Sequence, residues 1–298
     1  LNEYESASCI PDSKRRRACA GKIYVLICVA VCLSLAIALV VLLTIYSWPA
    51  VRQLGWAVLT LTWNPASGQY GLLPMLYGTL VVTALALLLA VPMGLAAAVY
   101  ISEIVNGRYR FLIKSLLELL AGIPSILYGL IGVAFLSVWI KHSFALSSGR
   151  TLFCAGILLA IMILPTLMTL AEDGLHNVPA IYRETAKGLG LYPHEIILRC
   201  VLPLAGADIL GAVLLALGRA LGETMAVMLV IGGIDKIPSP AFDLLNPGQT
   251  ITSKLGREIA ESAFASLHFS VLLFSGLLLL ILVVVLTVYA RYCSKLWQ

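Results

Sequence analysis

The sequence predicts an all-α integral membrane protein with six membrane-crossing helices, and three observations carry that prediction. Hydrophobic residues make up 60% of the 298 positions and charged residues only 12%, against about 25% charged in a soluble domain. The apolar residues fall in long continuous runs, not in the short alternating segments of a membrane β-barrel. Lys and Arg gather at the ends of those runs, which makes the formal charge of +5 a signature of topology and not of nucleic-acid binding.

A spanning helix needs about 20 mainly apolar residues, and six stretches qualify: 23–47, 74–101, 113–140, 151–171, 208–233 and 268–290. Residues 1–22 form a polar, basic tail, expected to be loosely ordered over its first 20 residues. The run at 23–47 follows Lys14-Arg15-Arg16-Arg17 like a signal peptide, but it exceeds a 7–15-residue apolar core and no small-x-small site follows it. It is expected to be a retained anchor. Pro92 is expected to break the second span, Gly122-Ile123-Pro124 the third and Pro165 the fourth. Glu103 closes the second span, where it should reach interfacial water, and Glu118 lies inside the third.

With the N-terminus placed inside, 13 Lys and Arg fall in inner segments and 6 in outer ones. The positive-inside rule therefore predicts both termini and the polar segment 172–207 on the cytoplasmic side of a multi-pass protein. Residues 48–73 and 234–267 become the large outer loops. Trp48, Trp56 and Trp63 suit the membrane interface in the first of them, and Pro238, Pro240 and Pro247 call for turns or short helices in the second. The seven scattered cysteines read as small hydrophobes. The four histidines form no pair at ligand spacing on one helix, so no metal is expected.

Two regions carry candidate function. In segment 178–203, Pro179 suits a first helical position, Ala180 to Leu189 a short helix, and Gly188 and Gly190 a left-handed end. Tyr192-Pro193 then opens a second helix with Glu195 in its first turn, and Pro203 interrupts it. An ordinary amphipathic connection and a protruding docking elbow fit this pattern equally well on physical grounds. In the fifth span, Arg219 and Glu223 are four residues apart and are expected to share a helix face at mid-membrane. A charge there costs several kcal/mol unless it is paired or hydrated. The pair is either a structural ion pair or the lining of an anion route. In the second case Arg219 lowers the barrier for an oxyanion, Glu223 holds the guanidinium and prevents over-tight binding, and a second cation comes from another subunit. Gly218 and Gly222 allow close helix approach.

Glu184-Thr185-Ala186, then Gly190, then Cys200-Val201-Leu202-Pro203 resembles the coupling pattern of bacterial ABC importer permeases. The spacing is complete, with Thr185 and Cys200 departing from the commonest residue types. The resemblance assigns Glu184, Thr185, Ala186, Gly190, Leu202 and Pro203 to coupling with an ATPase subunit. GLLPMLYGTL (71–80), ELLAGIPSILYGLIG (118–132), LAIMILPT (159–166) and LGRALGETMAV (217–227) narrow the likeness, over about 70–290, to PstC-type permeases of phosphate importers. This implies a type I importer permease domain (MetI-like) over 74–292, with a cytoplasmic coupling helix. It implies as partners a second, PstA-like permease, two PstB-like ATPases and a PstS-like phosphate-binding protein. No phosphate-loop pattern G-x-x-x-x-G-K-[ST] occurs in the chain, so ATP and Mg are expected on the ATPase partner, and no cofactor on this chain. The alternatives are a permease for another oxyanion, an ion-gradient secondary transporter, or a membrane sensor that moves no substrate.

Overall fold

A computed structural model describes residues 12–295, with the side chains of 12–20, 66 and 293–295 left out. Residues 1–11 of the tail assigned to 1–22 lie outside the described residues. Within it, α1 (Asp12–Leu54) already begins in the stretch expected to be loose. Lys, Arg and Ala at 14–20 are good helix formers, so the anchor helix extends back through them. The positions of α1 over 21–45 are exposed almost throughout, as befits a helix solvated by lipid on most of its circumference.

A short hairpin of β1 (Trp63–Asn64) and β2 (Gln69–Tyr70) leads into α2 (Leu73–Glu103). Helices α3 (Gly107–Ala121), α4 (Ser125–Ile131) and α5 (Ser137–Ser143) follow, the last two joined through a π-turn at 132–136. Next come α6 (Leu152–His176), α7 (Ala180–Gly188) and α8 (Pro193–Ile196). A second π-turn at 197–201 connects to α9 (Leu202–Leu204). The chain closes with α10 (Gly206–Gly222), α11 (Met225–Val230), α12 (Ile251–Glu258) and α13 (Leu267–Lys295). Among the described residues five helices are long and apolar enough to cross a membrane, or six if the bent pair 193–204 and 206–222 counts as one span.

The core lies between α2 and α6, the most extensive helix pair. Small residues make the approach possible: Ala86, Ala90, Ala98, Ala155, Ala160 and Ala171 are all buried, and a Cβ on Gly156 would meet Leu85 Cδ2 at 2.4 Å. Close van der Waals packing replaces the hydrophobic effect as the force between helices in lipid.

Several expectations need correction. The third span breaks at Gly122-Ile123-Pro124, as expected, but its bounds change from 113–140: only Ser125–Ser143 is long and apolar enough to cross. Amphipathic α3 has no buried residue, and Glu118 on it is exposed. Pro92 and Pro165, in contrast, sit inside unbroken helices; Pro165 is buried among its neighbours, which can satisfy the freed backbone groups, whereas Pro92 lies on an exposed face of α2. The helix opened at Pro193 ends one residue after Pro203, at Leu204, and the chain bends there by 69° into α10. Trp63 is engaged by protein as well: its ring lies 4.7 Å from the Lys254 ammonium and edge-on to Tyr70 and His268. Lys254, nearly buried, also pairs with Asp235 at 2.6 Å and Glu258 at 2.5 Å. This packed polar cluster holds α12 and the 231–250 loop at the end of the bundle opposite α7.

Candidate functional site

The first candidate region is an open cavity of about 750 Å³ between α6, α10 and α13. Gly211 and Gly218 of α10 face it, and a Cβ added at either would meet nothing within 4 Å. Arg219 projects from the same face, half-buried. Its Nη1 donates to Thr166 Oγ1 at 2.6 Å and its Nη2 to the Ala121 carbonyl at 3.4 Å. Thr287 and Arg291, one turn apart on α13, line the cavity too. Two guanidinium-bearing side chains and two hydroxyls from this chain therefore border one space; guanidinium groups are donors suited to a tetrahedral oxyanion, whereas the Thr287 hydroxyl donates to the Val283 carbonyl of its own helix at 2.7 Å.

Glu223 is not placed as the spacing suggested. Helix α10 ends at Gly222, and Glu223 is extended at φ −69°, ψ 124°. It does not share a helical face with Arg219, and among the described residues no ion pair joins the two. Its Oε1 instead accepts from the Ala226 N–H in the first turn of α11 at 3.3 Å, and its carbonyl accepts from Thr252 Oγ1 of α12 at 2.8 Å. A helix N-terminus welcomes a carboxylate, and the weak helix former Gly222 precedes the break. These local and tertiary partners outweigh a continuous helix. Arg257 of α12 fastens α11 as well, donating Nη2 to the Met228 carbonyl at 2.6 Å. Burial pulls the Arg257 guanidinium below its ordinary pKa, partly offset by the charge of Asp235.

The second region is the elbow over 178–204. Helix α7 spans Ala180–Gly188, and Gly190 takes φ +81°, a left-handed conformation that favours glycine. Leu191 N–H donates back to the Ala186 carbonyl at 3.2 Å, closing the helix as its C-terminal glycine pattern demands. Helix α8 opens with the Glu195 carboxylate accepting from the Tyr192 N–H at 3.0 Å. Glu184 and Thr185 point outward, whereas Ala186 is buried against the bundle. Leu202 packs partly on the core, and Pro203 is exposed. The six residues assigned to coupling thus lie on one elbow, with Glu184 and Thr185 on its outer surface and Ala186 at its root.

Sequence reasoning missed the polar joints that hold this end together. Arg183 makes a two-pronged contact with Glu103, Nη2 to Oε1 at 2.8 Å and Nε to Oε2 at 3.3 Å. Glu103 is therefore held by protein and does not simply reach interfacial water. Glu172, almost fully buried in α6, is ion-paired with Arg110 and, at 3.4 Å, with Lys114, which also binds Asp173. These partners lie far apart in the chain, and the only sequence signal was an acidic residue at the very end of an apolar run.

A family model described as "Binding-protein-dependent transport system inner membrane component" matches residues 90–296. The chain is 36% identical to a phosphate transport system permease protein PstC from Mesorhizobium japonicum, over 83% of this chain and 80% of that protein. It is 35% identical to a PstC from Pasteurella multocida, over 82% and 81% of the two chains. A probable ABC transporter permease of Bacillus subtilis, YqgH, is 32% identical over 79% and 76%. Among solved structures, the inward-facing methionine ABC transporter MetNI matches at a TM-score of 0.56, covering 76% of this chain and 94% of that one, with 17% identity. That last likeness concerns the fold.

Proposed function

The chain belongs to the family of binding-protein-dependent transport system inner membrane components, and on that premise we propose that it is the permease subunit of an ATP-driven importer of inorganic phosphate. The observation that carries the substrate reading is the cavity bordered by Arg219, Arg291, Thr166 and Thr287, taken with the phosphate permeases to which most of the chain is similar. Arg219 supplies a planar fork of donors for an oxyanion, and Thr166 fixes its orientation through the 2.6 Å bond. Arg291 borders the same space, and a further cation is expected from another subunit.

In this reading the chain works with a second, PstA-like permease, two PstB-like ATPases and a PstS-like phosphate-binding protein in a bacterial inner membrane. The termini and the elbow face the cytoplasm. ATP and its magnesium belong to the ATPase subunits, whose closure moves α7 through Glu184, Thr185, Ala186 and Gly190. The opposite end, with α12 and the 231–250 loop, receives the loaded binding protein. Alternating access then exposes the Arg219 cavity first to one side and then to the other.

The test is phosphate uptake by the assembled complex carrying Arg219→Ala. Uptake is expected to fall at least 100-fold, about 3 kcal/mol for a lost charge-assisted contact, while the subunits still co-purify. Wild-type uptake by that variant removes Arg219 from the substrate route. Transport of sulfate or molybdate in preference to phosphate, with the cognate binding protein, reassigns the substrate and leaves the permease reading in place.

A further inference from the structure

We propose that Arg183 is a positioning residue: its guanidinium, clamped to Glu103, is the joint through which α7 moves the spans α2 and α6. The inference rests on the permease reading above and names a device that the coupling pattern does not contain. Arg183 immediately precedes Glu184, the outward residue of the elbow. It turns the other way, into the bundle, with its side chain 20% exposed against 13% for Glu103.

One guanidinium there holds three partners. Nε and Nη2 grip both carboxylate oxygens of Glu103, the last residue of α2, at 3.3 and 2.8 Å. Nη2 also donates to the Leu175 carbonyl in the last turn of α6 at 2.8 Å, and Nη1 to the Val178 carbonyl at 2.5 Å. The final carbonyls of a helix lack partners within it and carry the negative end of its dipole, so a cation is the natural cap for α6. Among the described residues, the other side-chain hydrogen bonds of α7 stay within the elbow: Thr185 to Ile181, and Cys200 to the Tyr182 carbonyl. Apolar contacts of Ala186, together with Val178 before the helix and Leu191 after it, add to the hold on the bundle.

The two kinds of contact transmit force differently. A small apolar side chain in a socket resists being pulled out, but has little directional preference. A two-pronged Arg–carboxylate pair is directional and roughly twice as strong as a neutral hydrogen bond. A nine-residue helix such as α7 is too short to hold itself without tertiary contacts. A push on Glu184 that is to reach α2 and α6 together needs a stiff link one residue away. Arg183 provides that link, and lysine cannot replace it, because one ammonium cannot span a carboxylate and two carbonyls in a fixed plane.

The test uses the complete complex in lipid vesicles, with ATP hydrolysis and phosphate uptake measured on the same sample. Arg183→Lys is expected to keep ATP hydrolysis within about twofold of wild type and to lower phosphate moved per ATP at least tenfold. Glu103→Gln leaves the Arg183 bonds to both carbonyls, so the elbow stays folded; it is expected to lower the same ratio by about threefold or more. A wild-type ratio in both variants overturns the proposal. So does a parallel loss of hydrolysis and uptake at an unchanged ratio, which marks a purely structural pair. Failure of the wild-type complex to move phosphate on ATP instead overturns the functional reading beneath it, which keeps the two failures apart.

Discussion

Arg219 and Glu223 behave as two separate devices. Arg219 is held by a hydroxyl of α6 and a carbonyl at the end of α3, so it ties α10 to both of those helices. Glu223 instead helps cap α11 from the position before its N-cap Thr224. Replacing Glu223 with Ala removes the acceptor for the Ala226 N–H and is expected to cost about 1 kcal/mol of local helix stability. Backbone amides of residues 225–230 should then exchange hydrogen about fivefold faster, whereas Glu223→Gln, which keeps an acceptor, should leave them near wild type. Equal exchange in the two variants contradicts the capping role. The charges themselves were legible, because an ionisable residue in an apolar run stands out. Their separation was not, because the break at Glu223 depends on Thr252 of α12, and no periodicity announces that contact.

At the scale of the element, the elbow was the most legible part of the chain. Pro179, Gly190, Tyr192-Pro193 and Glu195 each announce a start or a stop through local chemistry, and the structure places the turns where those residues put them. Gly190→Ala forces an L-residue into φ +81° and is expected to destabilise the elbow by about 1–2 kcal/mol, read as a lower unfolding temperature of the complex. No change in unfolding temperature or in hydrogen exchange over 180–191 contradicts the need for glycine. Under the proposed reading, Glu184→Lys reverses a charge on the exposed face and should leave the fold intact. ATP hydrolysis should persist while phosphate uptake falls more than tenfold; unchanged uptake per ATP counts against docking at that face. What the sequence could not show was the root of the elbow. Arg183 looked like one more inside-positive charge, and its partner Glu103 lies 80 residues away.

For the whole molecule, the apolar runs located the bundle because length and hydropathy alone decide what can cross a bilayer. They did not locate its interruptions. The third span is shorter than its run of apolar residues, since α3 is apolar on one face only and lies against the charged end of α6. Two prolines that read as breaks lie inside continuous helices. The opposite end depends on a cluster drawn from β1, the 231–250 loop, α12 and α13, centred on Lys254, and no local pattern marks it.

The central claim is that phosphate crosses through this chain only when a separate ATPase drives it. The most direct measurement is radiolabelled phosphate uptake into vesicles holding the purified complex, with the phosphate-binding protein outside and ATP enclosed with the ATPase face. Uptake is expected to need ATP, the binding protein and the ATPase subunits together, and to stop when any one is withheld. Phosphate uptake by this chain without the ATPase, driven by an ion gradient alone, would contradict that claim.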